Sequence, residues 1–147
     1  LVLWSTQPDL VDDKGGVLNK GNFEHLAIAN PLYSPYGVAA KETLIKLTMW
    51  NAMQRKLSKG EDVVQTLQLV MSEKADLAFV ALAQVMRDGK VGAGSWWLVP
   101  PELHNPIRQS AVLLAGAKDP AAAKALLAFL KSDKARAVMR GFGYEVP

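Results

Sequence analysis

At 147 residues, half of them hydrophobic and 21% charged, the chain is long enough for one ordinary core and has globular rather than disordered composition. No apolar run approaches ~18 residues, so no segment reads as a membrane-spanning helix. Cysteine is absent, which excludes disulfides, thiolate metal sites and cysteine nucleophiles; this fits an oxidising compartment. The net charge of +3 comes from basic residues scattered among acids, such as Lys41, Lys46, Lys124 and Arg136, and not from a cluster interleaved with aromatics. That pattern is a solvated surface and not a nucleic-acid reader.

In chain order, "LVLWS" (Leu1–Ser5) reads as a strand. The chain begins within it and without Met, so it is taken as a processed or truncated piece whose missing leader says nothing about compartment. The Gly/Pro-rich stretch from Pro8 to Gly21 reads as a loop. "HLAIAN" (His25–Asn30) is a second strand, followed by a helical pattern over Val38–Met49 with Ser34 and Pro35 as its cap and first turn. Val63–Met71 is a second helix, with Val63, Val64, Leu67, Val70 and Met71 at helical spacing and a capping-box-like start of Asp62 and Gln65.

"LAFVAL" (Leu77–Leu82), "SWWLVP" (Ser95–Pro100) and "SAVLLAG" (Ser110–Gly116) read as further strands, with a short helical turn over Ala83–Asp88. Several of these runs are almost continuously apolar, as in strands covered on both faces. Two helices close the chain. Asp119 and Pro120 open one; Ser132 opens the other, with Gly141 as its expected C-cap. Strands alternating with helices predict an α/β layer structure, with no internal repeat.

Few residues suggest chemistry. His25 and His104 lack a second histidine or a carboxylate at helical spacing, so neither reads as a metal ligand or general base. Ser95 in "GAGSWW" fails the spacing of a nucleophile elbow, and "VGAG" lacks the full dinucleotide fingerprint. Glu61 and Asp62 offset a helix dipole. An enzyme is therefore not expected. What stands out is a pair of helix mouths, Ser34-Pro35-Tyr36-Gly37 and Gly60-Glu61-Asp62-Val63. Each leaves backbone N–H groups without intrahelical partners, open either to plain capping or to an anion.

The ordered set of segments adds to this. "LVLWS", "LVDDKGGVL", "HLAIANPLYSPYGVAAKETL", "GEDVVQTLQLV", "KADLAFVALAQV", "SWWLVPPELHNPIRQSAVLL" and "DPAAAKALLAFLKSDKARAVMRGFGY" run unbroken through nearly the whole chain. Together they resemble the C-terminal part of the periplasmic molybdate-binding proteins, the substrate-binding components of bacterial molybdate ABC transporters. The resemblance implies a type II periplasmic-binding-protein lobe, a mixed sheet flanked by helices, in a two-lobed clamshell. The ligand it implies is molybdate or tungstate, with no other cofactor, in the periplasm, delivered to the membrane permease.

By the same resemblance Tyr36 and Val63 occupy the family's backbone-donor positions in this lobe, and their neighbours Gly37 and Val64 join the site. Some members add a Tyr hydroxyl where this chain has Ala81, so that donor is lacking. The first lobe's donor turns are also absent. Residues 1–115 are expected to form the second lobe, and residues 116–147 a helical segment belonging to the first. That tail is expected to lie displaced or disordered, or against the missing N-terminal lobe or a second copy. Alternatives are a lobe for another tetrahedral oxyanion such as sulfate, or a sensor domain of the same fold; no helix-turn-helix segment supports a regulator.

Overall fold

The nearly continuous apolar runs form strands because helices cover them on two sides. The computed structural model describes residues 1–146. Its sheet strands are β1 (Val2–Ser5), β2 (Leu26–Ala29), β3 (Leu57–Gly60), β4 (Leu77–Val80) and, after the small hairpin β5 (Met86–Arg87) and β6 (Lys90–Val91), β7 (Ser95–Leu98). They lie in the order β3-β2-β4-β1-β7. β2 runs parallel to β3 and β4, whereas β1 is antiparallel to β4 and β7, so the sheet is mixed.

The helices are α1 (Val17–Lys20), α2 (Pro35–Lys46), α3 (Trp50–Met53), α4 (Val63–Met71), α5 (Leu82–Val85), α6 (Pro120–Leu130) and α7 (Asp133–Gly141). Alternate strand residues supply two cores. Leu3, Leu26, Ile28, Leu77 and Phe79 pack with Leu18 of α1, Leu44 of α2 and Met53 of α3. Val2, Trp4, Ala27, Ala78 and Val80 pack with Val63, Leu67 and Val70 of α4. Thus α2 and α4 lie on opposite faces of one sheet, the three-layer arrangement expected from the sequence.

Several boundaries differ from the sequence-based expectations. The Pro8–Gly21 loop contains α1, closed by Gly21 in the left-handed region at φ 66°. The helix expected over Val38–Met49 starts at Pro35 and stops at Lys46, and Thr48 at φ 59° breaks it before α3 begins. β3, "LSKG", adds a strand outside the five expected, because an edge strand carrying a lysine lacks the apolar signature. The Ala83–Asp88 turn resolves into α5 and the β5–β6 hairpin, turned at Asp88 and Gly89, both at positive φ.

The predicted fifth strand, Ser110–Gly116, is not one. It lies largely exposed and unpaired, since no strand among the described residues stands beside it. The tail helices carry the predicted N-caps, Asp119 accepting from the Ala122 amide at 2.9 Å and Ser132 from the Ala135 amide at 3.2 Å. Gly141 falls inside α7; the C-cap is Phe142, with Gly143 beyond it at φ 80°. The tail is neither detached nor deeply buried. α6 buries no residue and α7 buries only Ala135. Its end nevertheless returns to the hairpin, where the Gly89 amide donates to the Gly141 carbonyl at 2.9 Å. The Arg87 guanidinium sits 4.7 Å above the Phe142 ring.

Candidate functional site

Strand order places the two helix mouths together. The chain leaves β2 through α2 to β3, then turns back through α4 to β4 on the other side of β2. The connections after β2 and β3 therefore depart to opposite faces of the sheet. A crevice outside the carboxyl ends of the strands is expected at such a reversal. The last residues of the two strands, Ala29 and Gly60, pair in register, and the Asn30 amide donates to the Gly60 carbonyl at 2.7 Å. The α2 and α4 mouths thus open from adjacent strand ends.

At the α2 mouth, the Asn30 side chain accepts from the Leu32 amide and its carbonyl from the Tyr33 and Ser34 amides, which fixes the turn into the helix. Ser34 is buried at the N-cap position with extended backbone, yet its hydroxyl caps no amide. The Tyr36 and Gly37 N–H groups consequently have no acceptor among the described residues. Gly37 is required by close approach. A Cβ there would fall 2.1 Å from the Ala29 carbonyl oxygen, so only glycine lets the first turn sit directly on the end of β2.

At the α4 mouth the cap is complete. The Asp62 carboxylate accepts from the Val64 and Gln65 amides, each at 2.8 Å, and the Gln65 side chain returns to the Glu61 amide at 3.1 Å. Val64, expected among the donors, has therefore already given its N–H to Asp62. Val63 has not; its amide is without an acceptor among the described residues. The back-bond reaches Glu61 and not Asp62, which departs from a strict capping box.

Three further residues shape the site and carried no sequence signal. Gln84 of α5 donates to the Val63 carbonyl at 3.1 Å while its side-chain oxygen accepts from the Ala81 amide at 3.0 Å, tying the α4 mouth to the end of β4. Gln109 and Tyr144 lie beside the Tyr36 phenol. Burial, and secondarily the Tyr144 hydroxyl, push the Tyr36 hydroxyl above its ordinary range, and the Gln109 side chain opposes this. The Tyr36 side chain thus faces the tail while its N–H remains at the mouth.

The other sequence candidates are placed differently. Ser95 donates to the Gln7 carbonyl at 2.6 Å and accepts from the Val11 amide at 2.9 Å, which pins the loop that precedes α1. The His25 backbone amide donates to the Asp76 carboxylate, and His104 Nδ1 lies 2.8 Å from the Asn105 carbonyl oxygen. No group of three His, Cys, Asp or Glu side chains comes together among the described residues. Two open surface depressions, one along α4 and one beside β7, include neither Tyr36 nor Val63.

A mixed sheet with paired helix mouths at one edge is the architecture of a solute-binding lobe. The sequence pattern of the bacterial extracellular solute-binding proteins matches residues 1–145, and the chain belongs to that family. Within it, the chain is similar to the molybdate-binding protein ModA of Azotobacter vinelandii, 50% identical over 144 residues, which are 98% of this chain and 57% of that protein. ModA of Rhodobacter capsulatus is 46% identical over 144 residues, covering 98% and 56%. The solved structure of the Azotobacter vinelandii periplasmic molybdate-binding protein superposes with a TM-score of 0.94 at 36% identity, covering 99% of this chain and 64% of that one. The chain spans a little over half the length of the curated relatives it matches.

Proposed function

We propose that the chain is the second lobe and tail of a periplasmic molybdate-binding protein, which captures molybdate or tungstate and delivers it to the membrane permease of an ABC transporter. The observation that carries this reading is the set of amides without acceptors, Tyr36, Gly37 and Val63, at two mouths that open from paired strand ends. Similarity to proteins named for molybdate supplies the substrate. Val64 drops out as a donor in this scheme.

The chemistry follows from the donors. Helix N-terminal amides carry partial positive charge and can hold an anion without a cationic side chain. They offer hydrogens and no lone pairs. A fully ionised oxyanion presents only lone pairs and matches them. A protonated phosphate brings a hydroxyl that would be left unpaired, at a cost of about 1–3 kcal/mol. Sulfate passes the same charge test, so cavity size must separate it from molybdate.

In this scheme residues 116–147 belong with the first lobe. The exposed apolar surface of α6, including Leu126 and Phe129, supports that assignment. The isolated chain would bind weakly. Nanomolar affinity needs about 12 kcal/mol, and one wall of a clamp supplies part of the donors and little desolvation.

An amide-resolved NMR titration of the 147-residue chain with molybdate, tungstate, sulfate and phosphate tests the proposal. Saturable shifts at Tyr36, Gly37 and Val63 with the first two anions, and a Val64 amide that stays on Asp62, are the expected result. Sulfate shifting the same amides equally well would reassign the lobe to another tetrahedral oxyanion. Shifts at none of them would remove the mouths as the seat.

A further inference from the structure

Beyond β7 the chain passes through a 3-10 turn at Pro101–Leu103 and runs beside α2. Two side chains of that helix hold it there. Lys46 donates to the Glu102 carbonyl at 2.5 Å. One turn earlier, the Glu42 carboxylate takes two hydrogen bonds from a single residue, Oε2 from the Asn105 backbone N–H and Oε1 from the Asn105 side-chain amide, both at 2.7 Å. A carboxylate gripping one residue with both oxygens fixes orientation as well as distance.

Asn105 is also where anchoring beside α2 stops; the hairpin holds the chain again only at Gly141 and Phe142, beyond both tail helices. Pro106 follows, with no N–H to offer. From Ile107 to Gly116 no backbone amide is hydrogen-bonded among the described residues, and all but Ile107 and Leu113 are exposed. The next anchored amide is Ala117, bonded within its own segment to Leu114. Continuous anchoring beside α2 therefore reaches Asn105 and not beyond it.

We propose that Glu42 is a positioning residue: its two-pronged hold on Asn105 fixes the base of the tail to α2, the helix that carries Tyr36 and Gly37, and places the tail's pivot at Pro106–Gln109. Helix, mouth and tail base then move as one body, and relative motion of α6 and α7 is confined to a short stretch. Gln109, at the far end of that stretch, lies beside the Tyr36 phenol, so the pivot borders the ligand seat. The inference rests on the proposed function only in treating the α2 mouth as that seat.

The chain has no cysteine, so spin labels can be placed singly at exposed positions, Lys74→Cys on the lobe and Lys124→Cys on α6. Distances between them are measured by pulsed electron resonance without any anion, which keeps this test separate from the oxyanion titration. The expected result is that Glu42→Gln and Asn105→Ala each broaden the distance distribution at least about twofold, and the double variant no further than either. Arg108→Ala, beyond the hold, should leave the width unchanged. Hydrogen exchange on the unsubstituted chain gives a second measure: the Asn105 amide should exchange at least about tenfold more slowly than those of Ile107 and Arg108. Unchanged widths in both single variants, or an Asn105 amide exchanging as fast as its neighbours, would overturn the proposal.

Discussion

Gly37 shows how one missing side chain decides a site. The Ala29 carbonyl occupies the space that a Cβ would need, so the first turn of α2 rests on the end of β2 and directs its amides outward. Gly37→Ala should lower stability by about 1–3 kcal/mol, the usual cost of overpacking, and displace the mouth. The thermal midpoint should fall, and the Tyr36 shift with molybdate should weaken together with it. Val63 separates amide from side chain. Val63→Ala should retain most binding because the N–H survives, whereas Val63→Pro should abolish the shift at the α4 mouth because the donor is gone. Equal losses in an NMR titration would assign the effect to packing. Cap residues in the sequence mark the two helix mouths, and only the family resemblance singles out Tyr36 and Val63 within them. Gln84 and Asn105 could not: their partners lie 21 and 63 residues away, and nothing local marks them.

At the level of elements, the two mouths differ in charge. α4 begins with Glu61 and an Asp62 carboxylate that serves as its cap, whereas no acidic residue stands in the first turn of α2. Asparagine caps a helix about as well as aspartate. Asp62→Asn should therefore leave the melting temperature nearly unchanged and raise oxyanion affinity about 3–10-fold at low ionic strength, less at high salt. Titration calorimetry at two salt concentrations on a complete two-lobed protein checks this.

The Glu42 hold has a pH dependence of definite sign. Chiefly the Asn105 backbone amide, with its side chain, Lys46 and His104 adding, keeps the Glu42 carboxyl below its ordinary value; slight burial opposes them. A depressed carboxylate stabilises above the unfolded pKa, and that contribution is lost as pH falls through the folded one. Asn105 amide exchange, corrected for its intrinsic pH dependence, should lose its protection only below the ordinary glutamate range. The strands were legible to the extent that they were buried on two faces. β1, β2 and β4 are buried throughout and announce themselves as apolar runs, whereas β3, a short edge strand with Lys59 exposed, does not. Ser110–Gly116 has the composition of a strand and no neighbour to pair with. Composition records a preference; pairing needs a second strand.

For the whole molecule, the lobe and the tail contribute unequally. Both cores are built from residues between Leu1 and Leu103. A chain ended after Gln109 should fold, with circular dichroism showing a loss of no more than about 2 kcal/mol, the worth of the Gly141 and Phe142 contacts. Failure to fold would mean that the tail completes the lobe. The expected division into a lobe and an appended tail comes from resemblance alone, because helix caps and apolar spacing describe segments and not which body they join. The hold of Glu42 on Asn105 was not legible, since it is a side-chain contact across the fold.

The bare stretch from Ser110 to Gly116 has a consequence for the chain in concentrated solution. Val112 and Leu114 are 79% and 71% exposed, and the amides around them are unbonded. Short, uncharged, apolar and free of proline, it is the kind of segment that seeds cross-β stacking between molecules. Arg108 and Lys118 flank it and repel their counterparts in a neighbouring copy, as gatekeeper charges do. Shelf life at high salt, where that repulsion is screened, should therefore be set by these seven residues and their two guards rather than by the melting of the lobe.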